Sequence, residues 1–349
     1  MHILENVELK DYTSLRAGGL AERLIVIEPG DNLREAIERQ KGEQVWVLGF
    51  GTNCLISDKG LPGTVVINKT GQITEVSDGR FKIDTGVNWD DFIQRLIGLN
   101  LWGLEFTSGI PGGTGAAIAG NIAAYGHKVA DSFVEATVLD VKTGSIEVLQ
   151  KDSFGFDYRT SNLQLSEYQS KVVLDATFQL SPEPKNELEY ESALKVAREI
   201  GIAPDSLENR RKIIMETRRR ASSLLIDLDS GPWTAGSFFK NPLVDESQIQ
   251  TIVEHEENSV SREQLLRQNQ IHGQDKARVS AALVLLAAGF QRGQSWGHVR
   301  LNPEHILKIE NTGGASAAEI YAVAQEIIST VKSRMGIELQ PEVRFLGDY

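Results

Sequence analysis

Within Thr234-Ala-Gly-Ser-Phe-Phe-Lys-Asn-Pro242, a hydroxyl, two aromatic rings, a cation and an amide crowd into one short stretch. Ala235 and Gly236 deliver Ser237 with no bulk on its N-terminal side. Beside Phe238 and Phe239 the hydroxyl could release a proton inside a water-poor pocket. It could equally cap a turn above two core phenylalanines, and the segment alone leaves both readings open. Lys240 and Asn241 offer a cation and an amide to a phosphate or carboxylate. Arg159 carries a fixed fork of donors that matches a carboxylate, although its neighbour Asp157 also suits it to a surface ion pair. Glu342 lies in Pro341-Glu-Val-Arg-Phe-Leu-Gly347, where apolar and polar residues alternate as in a strand with one buried face. On its own it reads as well as a solvated glutamate. His305 and Arg344 are further candidates for binding an anionic ligand. Cys54 is the only cysteine, and no metal-ligand spacing is present.

Two glycine-rich stretches could hold a cofactor. Leu48-Gly-Phe-Gly-Thr-Asn-Cys54 follows a strand-like run, and bare backbone there lets successive N–H groups approach an anion such as a pyrophosphate. Gly49, Gly51, Thr52 and Asn53 are the candidates. The stretch is not a dinucleotide fingerprint, because position 54 is not glycine and no helix pattern follows. The second runs from Ser108-Gly-Ile-Pro-Gly-Gly-Thr-Gly115 to Gly120-Asn-Ile-Ala-Ala-Tyr-Gly126. So many small residues suit either backbone packed on backbone or a flat ring lying on main chain. Ser108, Gly109, Ile110, Pro111, Gly112, Gly115 and Asn121 are the candidates here.

The elements that must position these residues follow from periodicity. Arg23–Glu28, Gln44–Leu48 and Thr64–Asn68 read as strands, with a helix capped by Asp31 and running through Gln40 between the first two. Strands dominate from Phe81 to Leu180 (at 81–84, 136–141, 145–149 and 171–180), interrupted by a helix capped by Asn88 with Trp89, Phe92, Ile93 and Leu96 inward. Residues 183–230 are polar and helical and carry Arg218-Arg219-Arg220. Val279–Phe290 reads as a buried helix, and Ser316-Ala-Ala-Glu319 as the capping box of a long one ending at Gly336. The chain is of ordinary globular composition, 41% apolar and 24% charged. A net charge of −12 argues against a general nucleic-acid binder. The first residues show neither the basic start nor the apolar core of a secretion signal, and the longest apolar run is too short to span a bilayer. The expectation is a cytoplasmic protein without membrane insertion.

The two glycine loops, Tyr158-Arg159, Gly236-Ser-Phe-Phe-Lys-Asn-Pro242 and the terminal Pro341–Gly347 occur in this order, together with Thr13-Ser-Leu-Arg-Ala-Gly-Gly19 near the start. In this the chain closely resembles the UDP-N-acetylenolpyruvoylglucosamine reductase family, flavoenzymes of peptidoglycan precursor synthesis. The resemblance covers essentially the whole chain. It implies an α+β fold: a two-part FAD-binding domain of the vanillyl-alcohol-oxidase type plus an α+β substrate-binding domain. The divisions would be 1–72 (joined by 338–349), 73–228 with the Tyr190 loop, and 229–337 for substrate. It implies FAD as cofactor and NADPH as reductant, and action on small molecules as a monomer. Hydride from the reduced flavin would add to an enol ether, Ser237 would supply the proton, and Arg159 with a protonated Glu342 would stabilise charge gathering on the carboxylate. Tyr158, Tyr190, Lys240, Asn241, His305 and Arg344 would bind substrate. Two departures stand out. Gly120 and Ala123 replace the family's usual glutamine and glycine around Asn121, and a lysine common shortly before the serine motif has no counterpart in Arg220-Ala-Ser-Ser-Leu224. A flavin oxidase of the same architecture, or a binding protein without catalysis, are the competing readings.

Overall fold

The computed structural model describes residues 1–40, 42–224, 231–255, 260–266 and 276–349. The chain divides into two compact units, and neither is continuous in sequence. The first gathers residues 1–7, 21–51 and 61–226, the second 8–20, 52–60 and 227–349. The sequence-based boundary at residue 228 falls outside the described residues.

In the first unit, runs such as Leu-Ile-Val-Ile and Val-Val-Ile are apolar on both faces, as parallel strands covered on each side must be. They form a four-stranded sheet in the order His2–Glu8, Leu20–Ile27, Leu61–Asn68, Val45–Leu48, the last three parallel. Helix Leu33–Glu38 covers it through Leu33, Ala36 and Ile37. Its cap is Asn32, not the expected Asp31: the Asn32 side chain accepts from the Glu35 N–H at 3.2 Å. Asp31 instead accepts from the Glu28 N–H and pairs with the chain's amino group.

An antiparallel five-stranded sheet completes this unit, in the order Ile146–Gln150, Phe133–Asp140, Lys171–Gln179, Arg80–Asp84, Ile73–Ser77. Helix Trp89–Gly98 is capped by Asn88 as expected and buries Trp89, Phe92, Ile93 and Leu96. Trp89 and Phe92 meet Phe178 of the sheet with ring centroids 5.8 Å away. Helices Glu191–Ile200 and Leu207–Arg220 bury Ala193, Ala197, Ile213 and Ile214 around Phe106.

The second unit is built on an antiparallel sheet in the order Trp233–Ser237, Lys308–Asn311, Val299–Leu301, Ser295–Trp296. Helix Ala317–Met335 packs its expected stripe, Ile320, Val323, Ile327, Val331 and Met335, into this unit's core. The Ser316–Glu319 capping box opens it and Gly336, at φ +64°, ends it. The apolar run at 279–290 gives only a short helix, Ala281–Ala287. The last strand, Arg344–Leu346, pairs in parallel with Cys54–Ile56. Sequence reasoning put both in a first subdomain made of 1–72 joined by 338–349; their contacts gather them in the second unit.

Candidate active site

In the first unit the two glycine loops lie side by side. A Cβ on Gly113 would stand 3.3 Å from the Phe50 ring, and one on Gly49 would be 4.0 Å from the Gly113 nitrogen. The loops thus meet closely at Gly113, where a side chain would crowd Thr85 and Phe50, and their small residues leave main chain bare to a flat ligand. Gly109 adopts φ +73°, and its N–H donates to Asp90 Oδ1 at 2.6 Å. Asp90 is itself held by both arms of Arg211, at 2.6 and 2.7 Å. Burial works to raise the Asp90 carboxyl, but the Arg211 and Gly109 hydrogen bonds and the charges of Arg211 and Arg218 outweigh it and hold the group below the usual carboxylate range.

Arg159 sits in a tight turn closed by reciprocal hydrogen bonds between Asp157 and Thr160. Its φ is +55°, a conformation uncommon for a residue with a Cβ, held here by its surroundings. One support is Asn121, 2% exposed, whose amide donates to the Asp157 carbonyl at 2.9 Å and accepts from the Ala130 N–H at 3.1 Å. Asn121 was expected to touch cofactor; its side chain is engaged by the Asp157 carbonyl and the Ala130 N–H. Tyr190 is the cap residue of helix Glu191–Ile200, and its ring meets Tyr125 edge-on at 5.5 Å. Burial pushes its phenol up, Tyr158 adds to this and Arg159 opposes it, so these three residues lie within electrostatic reach of one another.

Arg218 joins this group unannounced by the sequence, which showed only a basic triplet. Arg219 and Arg220 of that triplet are exposed and paired with Glu216. Arg218 turns inward: one arm donates to the Ser223 carbonyl at 2.7 Å, and its buried Nε has no hydrogen-bond partner among the described residues. Its surroundings are Tyr125, Asp90 and Arg159. The signal that could have found it is helical phase, since Arg211 and Arg218 are seven residues, about two turns, apart and share a face.

In the second unit Ser237 ends the strand Trp233–Ser237 behind a β-bulge. Gly236 takes φ +80° there, and nothing lies within 4 Å of where its Cβ would be, so conformation rather than space demands the glycine. The Ser237 side chain is half-buried and forms no hydrogen bond to any described residue. Phe238 and Phe239, at 0% and 1% exposed, belong to this unit's apolar core. Of the two readings the sequence left open, pocket wall or core, their burial favours the core, where they anchor the strand carrying Ser237.

A separate antiparallel bridge, Phe239 with Pro341, sets Glu342 opposite Phe238, one residue on from Ser237. The Glu342 N–H donates to the Phe238 carbonyl at 2.8 Å, and the Lys240 N–H to the Gln340 carbonyl at 2.9 Å. Asn53 fastens the other edge, donating through its amide to the Glu342 carbonyl at 3.1 Å and accepting from the Arg344 N–H at 3.0 Å. Asn241 caps helix Ala281–Ala287, its side-chain oxygen accepting from the Ala281 N–H at 2.9 Å. Arg344 is exposed. His305 is half-buried, and its Nδ1 has no hydrogen-bond partner among the described residues.

Comparison with known proteins defines the class first: a profile of an FAD-binding domain matches residues 24–150, the stretch that carries both glycine loops. The C-terminal domain profile of UDP-N-acetylenolpyruvoylglucosamine reductase matches residues 227–346. The chain is 32% identical over 352 aligned residues to the UDP-N-acetylenolpyruvoylglucosamine reductase of Thermobifida fusca, covering 98% of this chain and 97% of that one. It is 31% identical to that of Saccharopolyspora erythraea, covering 96% and 93%. The structure of the reductase from Thermus caldophilus shares the fold, with a TM-score of 0.65 at 23% identity over 99% of this chain and all of that one. The chain belongs to the UDP-N-acetylenolpyruvoylglucosamine reductase family and is an FAD-dependent oxidoreductase with NADPH as reductant. The bare, adjoining glycine loops fit the cofactor that this membership requires. No helix among the described residues is long and apolar enough to cross a membrane.

Proposed function

We propose that the chain reduces the enolpyruvyl ether of UDP-N-acetylglucosamine to UDP-N-acetylmuramate with NADPH, as a cytoplasmic monomer. Gly49, Gly51, Thr52, Asn53, Ser108, Gly109, Ile110, Pro111, Gly112 and Gly115 would hold FAD. Bound FAD, once reduced, supplies a hydride to the alkene carbon remote from the carboxylate. Residues 1–72 and 73–228 serve the cofactor in this reading, and 229–337 the substrate.

The chain's own residues then manage charge and a proton. Arg159 holds the substrate carboxylate with its donor fork as negative charge spreads into it. Glu342, carrying a proton, donates a second hydrogen bond to that carboxylate. The Ser237 Oγ–H bond breaks as its proton passes to the carbon next to the carboxylate. Tyr158, Tyr190, Lys240, Asn241, His305 and Arg344 bind the remainder of the substrate. One observation supports the reading: a backbone bridge holds Glu342 opposite Phe238, the residue that follows Ser237, whose hydroxyl is bonded to no described residue.

The test separates the two half-reactions by stopped flow. In Ser237→Ala, NADPH should still bleach the flavin, while reoxidation by the enolpyruvyl substrate slows about 100- to 10,000-fold, the usual worth of a positioned acid. Equal slowing of both halves would make Ser237 structural.

A further inference from the structure

Lys308 is the only lysine among the described residues that is buried, at 3% exposed. It opens the strand Lys308–Asn311 and stands directly opposite Ser237 in the antiparallel ladder. The Phe238 N–H donates to the Leu307 carbonyl at 2.8 Å, which makes Ser237–Lys308 the close, non-hydrogen-bonded kind of pair. Facing Cα atoms in such pairs are about 4.5 Å apart, with both side chains on one face of the sheet. On the next strand pair Glu310 faces Arg300, whose Nε donates to it at 2.7 Å. Asn302 adds a second bond to Glu310 at 2.6 Å, so that carboxylate is already engaged. The Lys308 charge also reaches His305, whose imidazole is lowered first by burial and then by Lys308, with a further contribution from Arg292.

We propose that Lys308 is a positioning residue for proton delivery, its ammonium stabilising the Ser237 alkoxide as it forms and returning a proton to it. This rests on Ser237 being the proton donor. The Ser237 O–H bond breaks and a C–H bond forms on the substrate. A Lys308 N–H bond then breaks as the Ser237 O–H re-forms, and the neutral amine takes a proton from water. The net proton consumed is the one the reduction demands. A serine is otherwise a poor acid, and a nearby cation makes its alkoxide cheaper to form. Charged and titratable groups near the pair include His305, on which Lys308 and Arg292 both act, Arg300 paired with Glu310, and Glu342.

The experiment compares Lys308→Met, Lys308→Arg and Ser237→Ala as FAD-loaded full chains, measuring both half-reactions across pH. In Lys308→Met, flavin reduction by NADPH should keep its rate while reoxidation by the enolpyruvyl substrate falls about 10- to 100-fold, below the loss in Ser237→Ala. Lys308→Arg should recover most of the rate and move the alkaline limb of the reoxidation profile upward, as a guanidinium keeps its proton to higher pH. Unchanged reoxidation in Lys308→Met, with Ser237→Ala still impaired, overturns the role of Lys308 alone. Unimpaired reoxidation in Ser237→Ala overturns the reading beneath it. If Lys308→Met slows both halves equally and Lys308→Arg fails to separate them, the lysine is structural.

Discussion

In the proposed reaction Glu342 and Arg159 divide one task, and their side chains predict different sensitivities. Arg159 is held at φ +55° in a turn of two central residues, so its guanidinium is aimed by the backbone as much as by rotamer choice. Arg159→Lys keeps the charge but loses the fork, and we expect substrate reoxidation of the flavin to slow at least about tenfold with flavin reduction unchanged. A rate within twofold of the parent enzyme would show that charge alone suffices. Glu342→Gln keeps a donor where Glu342→Ala keeps none, so the amide variant should retain more activity in steady-state assays. Equal losses would mean that Glu342 moves a proton instead of holding one. Cys54 is a contrasting case. Its thiol is buried and pushed up to about 12 by that burial, and it should resist a thiol reagent in the native state, where the thiolate is the reactive form.

At the scale of elements, the helix Leu207–Arg220 reaches the loop proposed to hold the cofactor through the chain Arg211, Asp90, Gly109. Asp90→Asn keeps the shape but weakens a charge-assisted link, which should cost about 1–3 kcal/mol and show as weaker FAD retention in fluorescence titration. Because the Asp90 carboxyl is depressed in the folded chain, its contribution is complete above the unfolded value near ~4 and is lost as pH falls through the folded one. FAD release should therefore rise on acidification below about pH 4 in the parent chain and be flatter in Asp90→Asn. An identical acid limb in both would place the sensitivity elsewhere. Much of this scale was legible in the sequence. Asn88, the Ser316 box and the stripe from Ile320 to Met335 read correctly because caps and 3.6-residue periods are local signals. Asp31 failed because Asn32 competes for the same cap one residue on. The commitment of Asn121 and the burial of Lys308 opposite Ser237 depend on pairing with residues distant in sequence, which no local pattern encodes.

The whole molecule is interleaved, and that has an energetic consequence for the second unit. Its core includes Leu15 and Leu55, both fully buried and both supplied from the first sixty residues. Strand Cys54–Ile56 pairs with Arg344–Leu346, and Asn311 donates to the Leu15 carbonyl at 3.0 Å. Asp58 caps helix Ala317–Met335, accepting from the Ala317 and Ala318 N–H groups, each at 2.8 Å. Losing two buried leucines costs about 2–5 kcal/mol each, and losing a helix cap about 1 kcal/mol. Together these approach the whole stability of a typical domain, roughly 5–15 kcal/mol. A fragment spanning 231–349 should therefore keep part of its helix content yet melt without a sharp transition, with weak near-ultraviolet dichroism from Phe238, Phe239 and Tyr321. Adding a peptide that covers residues 8–60 should restore cooperativity if the interleaved segments are what the fragment lacks. A fragment that melts as sharply as the full chain would show that the 231–349 core is self-sufficient and that the amino-terminal segments only decorate it.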